Sequence, residues 1–395
     1  MVVTIVVLLI LAGISLNLVL GQNGIISRAQ DARNQTVEGQ VNTEKAVNAL
    51  TDEMEDLISE NENSGNGGNS GSSQTTVENV VIPEGYYYVG GTKAKGLVIS
   101  DAEADNEKYK GQENVGKDLA GNQWVWVPVE TPSSLYTTVT EGVALSGSTG
   151  VKTTKYTNSA IISGRTRGLP GSTDYREPDI LPYSGFDDTN YATAGFSSLA
   201  NMAETMVSEY DEMIRSLEKY HGFYIGRYEL TANGEKTGAT QTCRNGVNWY
   251  TLYKNCTTLA SGSKVKTRMI LGLQWDATCK WLDSSGFNIT NSSTWGNYRG
   301  NTATGHGSMQ NTGFSESWKA NNIYDFAGNC EELTQEADGT IVRASRGGFY
   351  NDDGPDRPAS SRIYYSPTDT DTYSYFGSRP TLYLIPWDME AMSSK

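Results

Sequence analysis

The chain predicts an α+β fold with long loops, because it combines two helical patterns with short apolar runs and wide polar intervals. Leu199–Tyr220 places Leu, Met and Tyr three or four positions apart, which is the spacing of an amphipathic helix. Leu271–Leu282 shows a second, shorter helix of the same kind. Trp124–Val127 is an apolar run that ends at Pro128, which predicts a buried strand. Glu130–Ala192 has few apolar clusters and predicts loops.

Residues 1–59 predict a long α-helix, first hydrophobic and then amphipathic, that precedes this head. Met1–Leu20 has no charged side chain, and at about 1.5 Å per residue it spans the roughly 30 Å of a hydrocarbon core. The apolar residues of Ile25–Ser59 lie mostly three or four apart. This arrangement resembles the N-terminus of type IV pilin-like proteins, although their basic leader, glycine cleavage site and following glutamate are absent. A plain membrane anchor is the alternative, and a signal peptide fits less well without a basic n-region.

A Gly/Ser/Asn-rich segment at residues 60–76 predicts a flexible linker, because it has too few apolar residues to pack. The predicted head therefore covers residues 77–386, and a short tail covers residues 387–395.

Short strands are predicted along the rest of the head. Tyr86–Val89 and Leu97–Ile99 predict a hairpin. Gly222–Glu229, Asn248–Tyr253 and Thr381–Ile385 predict further strands.

Charge and cysteine content exclude two classes of function. A net charge of −15 and a pI near 4.7 argue against nucleic-acid binding, because no basic face is available for phosphates. Cys243 and Cys256 are close in the sequence and predict a disulfide in an oxidising compartment, whereas Cys279 and Cys330 are interpreted as buried thiols. With no C-x-x-C pair and two histidines, a zinc site of the usual type is not expected.

Three blocks near the C-terminal end are Asn322–Leu333, Arg346–Tyr350 and Gly377–Arg379. They resemble the glycine turn, the Arg-Gly-Gly strand and the closing Gly-x-Arg of the formylglycine-generating enzyme (sulfatase-modifying factor) family, a variant of the C-type lectin fold. Further similar segments occur in the same order at Gln123–Pro128, Gly222–Glu229 and residues 268–276. The chain departs from the family at Leu333, where Trp is usual, and at Ser378, where Phe is usual.

The resemblance does not extend to catalysis. The family's oxidase needs a cysteine pair between the Gly-Gly strand and the final Gly-x-Arg, and Phe349–Ser378 contains no cysteine. Related iron-dependent enzymes use three histidines, and this chain has two. We therefore expect no enzyme activity.

The resemblance also implies a structural calcium ion in the glycine turn. Its ligands would be the Asp325 side chain, the Gly328 and Cys330 carbonyls and the Glu332 side chain, and such hard oxygen donors suit calcium. The alternative is that both carboxylates only form hydrogen bonds within the turn.

Residues 349–379 have the composition of a binding surface and no helical or strand period. Tyr supplies rigid contact area, while Asp, Asn, Ser and Thr supply adaptable hydrogen bonds. The segment also lacks Lys, Glu, Gln, Met and Trp, the residues that adenine substitution in an Asn codon cannot produce. This resembles the variable region of diversity-generating retroelement target proteins, and a polar surface loop is the alternative. The predicted contacts are Tyr350, Asn351, Asp352, Asp353, Tyr364, Tyr365, Asp369, Asp371, Tyr373 and Tyr375.

Together these features predict a non-catalytic, adhesin-like protein at the cell surface. Its head would bind an extracellular protein or glycan, and residues 1–59 would join a membrane or a pilus. The main alternative is a structural minor pilin with a passive head.

Overall fold

All described residues belong to a unit of the chain that covers residues 73–395. In this computed structural model the described residues are 75–132, 136–143, 152–158, 176–177, 188–231, 233–260, 262, 264–299, 307–338, 342–366 and 373–386. The predicted helix of residues 1–59, most of the predicted linker and the tail at 387–395 lie outside them. No helix in this described part of the chain is long and apolar enough to cross a membrane.

The described elements are mostly short strands with a few helices, which confirms the α+β class. The helices are α1 (Asp188–Thr193), α2 (Leu199–Tyr220), α3 (Trp249–Cys256) and α4 (Gly272–Ser284). The strands are β1 (Thr76–Val77), β2 (Val80–Val81), β3 (Tyr87–Gly90), β4 (Val98–Ser100), β5 (Gln123–Pro128), β6 (Tyr136–Val143), β7 (Lys152–Asn158), β8 (Arg176–Glu177), β9 (Gly222–Gly226), β10 (Val265–Met269), β11 (Lys319–Ala320), β12 (Ile323–Tyr324), β13 (Glu331–Asp338), β14 (Val342–Arg346), β15 (Arg362–Tyr365), β16 (Phe376–Ser378) and β17 (Pro380–Leu384). Short 3₁₀ helices lie at Glu103–Asp105 and Glu316–Trp318.

Two sheets organise the head. The larger is antiparallel, with strand order β10-β17-β9-β5-β4-β3. The second has the order β15-β14-β13-β16, in which β13 and β16 are parallel and the other pairs antiparallel. Because β16 and β17 are separated by Arg379 alone, the chain passes directly from one sheet into the other.

Both faces of the larger sheet are covered. Trp124 and Trp126 of β5 join one hydrophobic cluster, and Val125 and Val127 join the other. This alternation is what a strand with apolar residues on both faces produces. Residues of α3 lie in the first cluster, and residues of α4 lie in the second.

The predicted long helix is confirmed as α2. Ser198 caps its start by accepting a hydrogen bond from the Asn201 amide at 3.1 Å. Met202, Met206 and Met213 are all buried, so they are core residues. The shorter predicted helix is α4.

Two elements differ from the prediction. Asn248–Tyr253 was expected to be a strand, but the Asn248 side chain caps α3 by accepting from the Thr251 amide at 3.0 Å. The aromatic and apolar residues of α3 are buried on most of its circumference, so tertiary packing outweighs their strand preference. Within the predicted loop at Glu130–Ala192, the described residues include β6 and β7, whose Thr-rich sequences pair as antiparallel strands.

The predicted Cys243–Cys256 disulfide is wrong, because Cys243 is bonded to Cys330 across a sequence separation of 87 residues. Cys256 lies on the buried side of α3, with its Sγ 3.8 Å from the Ser378 Oγ. Helix formation by residues 249–256 therefore turns this thiol into the core and away from Cys243.

Residues 349–379 also contain regular structure that the sequence did not indicate. β15 pairs with β14, and β16 pairs with β13, so the middle and the C-terminal end of the Tyr-rich segment belong to the second sheet. Residues 358–363, which lead into and begin β15, are buried.

Candidate binding face

A glycine pair leads the chain from β14 into the Tyr-rich segment. Gly347 and Gly348 have positive φ angles of 85° and 69°, which other residues rarely adopt. A Cβ on Gly348 would lie 2.4 Å from the Arg357 carbonyl oxygen, so glycine is required by both conformation and space. The Tyr298 hydroxyl donates to the Gly347 carbonyl at 2.6 Å and fixes this crossing.

A buried charged layer, formed by Asp276, Glu336, Arg346 and Arg362, lies beneath the segment. Arg346 and Arg362 each reach the Asp276 carboxylate, at 2.7 Å and 2.6 Å. Arg362 also pairs with Glu336 at 2.5 Å, and all four side chains have no exposed surface. The layer contains two acids and two guanidinium groups, so its charges balance and each is close to an opposite charge.

The residues around Arg362 are attached to α4 and β14 by further hydrogen bonds. The Trp275 indole donates to the Ala359 carbonyl at 2.8 Å, and the Arg346 Nε donates to the Ser361 carbonyl at 2.7 Å. The middle of the Tyr-rich segment is therefore fixed to the scaffold from below.

Above this layer lies a cluster of aromatic rings, which we call the aromatic face: Phe349, Tyr350, Tyr365, Tyr373, Tyr375 and Phe376. Phe349 stacks on Tyr375 with a centroid distance of 4.2 Å, and Tyr375 contacts Phe376 at 4.7 Å. Tyr350 lies at one end of this contact chain, and Tyr373 contacts both Tyr375 and Phe376. Phe376 is fully buried, whereas 43 % of Tyr373 is exposed. The cluster therefore extends from the core to the solvent.

Carboxylates border the aromatic face. Asp353 is partly exposed and pairs with Arg299 at 3.1 Å, while Asp352 is half-buried and accepts from the Phe349 amide at 3.1 Å. Burial raises the pKa of Asp352, and burial together with Glu331 raises the pKa of Tyr375 to about 12. Tyr375 is therefore a neutral hydroxyl that can donate and accept hydrogen bonds.

Glu331 lies beneath the face on β13. Burial raises the pKa of its carboxyl group to about 7, although the Ser345 hydroxyl donates to it at 2.7 Å. Arg357 lies 3.9 Å away, which is beyond hydrogen-bonding distance.

The structure brings most of the predicted contact residues to one region. Asn351 is exposed, and Tyr350, Asp352, Asp353 and Tyr365 are partly exposed. Tyr364 is also partly exposed, but its hydroxyl donates a hydrogen bond to Glu336 of the charged layer at 2.9 Å. Asp369 and Asp371 lie outside the described residues.

Sequence reasoning missed several members of this region. Phe349 and Phe376 were not predicted contacts, although they directly flank tyrosines in the sequence. Arg299 was missed because it comes from a loop about 50 residues upstream, and nothing in its local sequence indicates that it reaches Asp353.

The predicted calcium ligands lie in a second buried cluster, in which the Arg379 guanidinium makes most of the hydrogen bonds given next. Its guanidinium contacts both Glu332 oxygens, at 2.6 Å and 3.0 Å, and also donates to the Gly226 and Tyr324 carbonyls. This arrangement fits calcium poorly, because the guanidinium already neutralises the carboxylate and would repel a second cation.

Two other features of the glycine turn concern the same ligand set. The Gly313 amide donates to Asp325 Oδ2 at 2.6 Å, whereas Asp325 Oδ1 is buried without a hydrogen-bond partner, and burial raises the pKa of Asp325 to about 7. The Cys330 amide donates to Glu229 at 2.9 Å. Calcium binding stays a prediction, which calorimetric titration of the full chain with calcium would test, and no function is derived from it.

The cysteine sulfur atoms of the described residues do not form a metal site or a reactive thiolate. Glu229 lies beside Cys243 and Cys330, but the disulfide between them removes the thiolates that a metal would need. Burial raises the pKa of Cys256 and of Cys279 to about 12, so both remain protonated thiols.

Comparison with solved structures gives a weak likeness. No protein-family model and no curated protein matches the chain. Among solved structures it is similar to variable protein 1 of Treponema denticola, with 16 % identity, 42 % of this chain and 85 % of that chain covered, and a TM-score of 0.31. That TM-score is too low to support an argument about fold or function.

Proposed function

We propose that this chain is a non-catalytic ligand-binding protein that presents the aromatic face to an extracellular partner. The observation that carries the proposal is that the described residues of 349–379 divide into a buried half and a solvent-facing half. The buried half is attached to α4 and β14, whereas Tyr350, Asn351 and Tyr373 reach the surface. Large aromatic side chains on a fixed support lose little entropy when they bind, which favours affinity.

The absence of catalysis is part of the proposal. Residues 349–378 contain no cysteine, so the oxidase chemistry of the similar family has no nucleophile there. The two free thiols of the described head are buried and protonated. Elemental analysis of the purified full chain for copper and iron tests this part, and stoichiometric copper or iron would contradict it.

We further propose that the head is a lectin-like scaffold whose surface positions are diversified. The charged layer and Arg379 support this proposal. Their buried ion pairs are residues that the fold needs, whereas the solvent-facing residues of the segment are residues that it does not need. The test is genomic: a reverse transcriptase gene and a near-identical template repeat should lie near this gene, with adenine-dependent differences. Differences should fall at Tyr350, Asn351 and Tyr373, and variation at Arg362 or Arg379 would contradict the proposed division.

The proposed location is the cell surface, with residues 1–59 in a membrane or a pilus. The Cys243–Cys330 disulfide supports an oxidising compartment, since such bonds persist mainly in exported proteins. Protease treatment of intact cells should release the head. If filaments assemble normally when only the head is deleted and no ligand binding is lost, the minor-pilin alternative with its passive head is favoured instead.

Binding itself is tested with arrays of extracellular proteins and neutral glycans probed with the full chain. The Tyr350→Ser/Tyr373→Ser variant should lose the signals that the unmodified chain gives. Phe314→Ser is the matched control, because Phe314 is an aromatic residue with 49 % exposure outside the aromatic face. Equal loss in both variants, or no signal from the unmodified chain, would contradict the proposal.

A further inference from the structure

We propose that the aromatic face binds a cationic polypeptide segment, rich in Lys or Arg, of its partner. This inference rests on the proposed ligand-binding function and adds the chemical class of the ligand. It follows from the way the fold separates the charges of residues 349–379.

The arginines of this segment face inwards. Residues 349–379 contain five Asp, three Arg and neither Lys nor Glu. Arg362 is fully buried against Asp276, and Arg379 is fully buried against Glu332. Arg357 has 17 % of its side chain exposed and lies closest to Glu331. The positive charges of the segment are therefore directed into the head.

The described aspartates of the segment face outwards. Asp353 has 42 % of its side chain exposed, Asp356 is exposed, and Asp352 is half-buried beside Phe349. Arg299, from another loop, neutralises part of Asp353. Among the described residues, the surface of the segment carries Asp352, Asp353 and Asp356, and the cation beside them is Arg299 of the other loop. This surface is therefore acidic, because Arg362 and Arg379 are buried.

The aromatic rings add a second attraction for the same kind of ligand. The face of a phenol or phenyl ring attracts ammonium and guanidinium groups. Tyr350 provides a partly exposed ring and Tyr373 an exposed one, and Asp352 is close enough to Tyr375 to raise its pKa. A Lys or Arg side chain could therefore contact a ring and a carboxylate together. Phosphorylated or sulfated ligands would instead be repelled by these carboxylates.

The experiment measures binding of the full chain to fluorescent peptides by anisotropy. The probes are a nine-residue peptide with four Arg or Lys residues among Gly and Ser, and the same peptide with Glu or with Gln at those four positions. The cationic peptide should bind, the other two should not, and raising the salt concentration should weaken binding because surface charges are screened.

Matched variants separate a specific face from general attraction to an acidic protein. Asp352→Asn/Asp353→Asn and Tyr350→Ser/Tyr373→Ser should each weaken binding about threefold to tenfold. Glu103→Gln/Glu235→Gln removes the same number of exposed charges elsewhere on the described surface and should change the affinity less than about twofold. Equal weakening by the two charge variants overturns the inference.

The glycan array distinguishes failure of this inference from failure of the proposed function. If the cationic peptide does not bind but a neutral glycan binds through Tyr350 and Tyr373, the inference is wrong and the binding function stands. If neither the peptides nor the arrays give a signal that depends on these tyrosines, both are wrong.

Discussion

Residues 349–379 form two regions of opposite character within one short stretch of chain. The inner region, centred on Arg362, is buried and charged. Arg362 lies close to an opposite charge on α4, Asp276, and to another on β13, Glu336. The outer region, which includes Tyr350 and Tyr373, is aromatic and partly exposed to solvent, and aspartates border it. The inner region needs particular residues at fixed positions, whereas the outer region needs only side chains that tolerate solvent. The proposed diversification would therefore alter the outer region and leave the inner region unchanged.

The largest expected effect comes from breaking the charged layer. Asp276→Ala should lower the free energy of unfolding by about 3–5 kcal/mol, because Arg346 and Arg362 would share only Glu336 while remaining buried. Asp283→Ala is the matched control, since Asp283 lies exposed on the same helix and should cost less than about 0.5 kcal/mol. Urea denaturation measures both values. Similar costs for the two variants would show that the layer does not support the inner region.

The disulfide is expected to have the next largest effect. Cys243→Ser/Cys330→Ser should cost about 2–4 kcal/mol, because the bond closes a long loop in the unfolded chain. It also lies beneath β16, where a Cβ on Gly377 would be 3.1 Å from the Cys330 Cβ. Dithiothreitol should lower the melting temperature of the unmodified chain to that of the variant and leave the variant unchanged. A variant that still responds to dithiothreitol would contradict this assignment.

The two regions also differ in how much of them the sequence could reveal. The composition of the outer region is visible directly, so Tyr350 and Tyr373 could be predicted to lie at the surface. Arg362 looks no different from a surface residue, because its partners Asp276 and Glu336 are 86 and 26 residues away in the sequence. Only the folded chain shows that this arginine belongs to the interior.

Errors elsewhere in the head have the same physical origin. Helix α2 was predicted correctly because its apolar period is a local property of the sequence. The disulfide was predicted wrongly because proximity along the chain does not determine which cysteines meet in space. Asn248 was an available cap signal for α3, but the aromatic residues that follow it favour strands when considered alone.

Glu331 lies at the boundary between the two regions and predicts a pH dependence. Burial raises its folded-state pKa from 4.5 to about 7, so the folded chain binds this proton more tightly than the unfolded chain. The stability that this provides is full below pH 4.5 and is lost as the pH rises through 7, by an amount on the order of 1–3 kcal/mol. Unfolding should be followed from pH 4.5 to 8 in the presence of a chelator. Glu331→Gln should flatten the profile, and an unchanged slope would contradict the assignment to this group.

The smallest effect on stability should come from the outer region itself. Tyr350→Ser/Tyr373→Ser should change the free energy of unfolding by only about 0.5 kcal/mol per substitution, because Tyr350 is partly exposed and Tyr373 is exposed. Phe376→Ala, within the same cluster but fully buried, should cost about 3–5 kcal/mol. If the tyrosine variant is as unstable as Phe376→Ala, these tyrosines are core residues. In that case any loss of binding would reflect unfolding, and the separation between scaffold and surface would not exist.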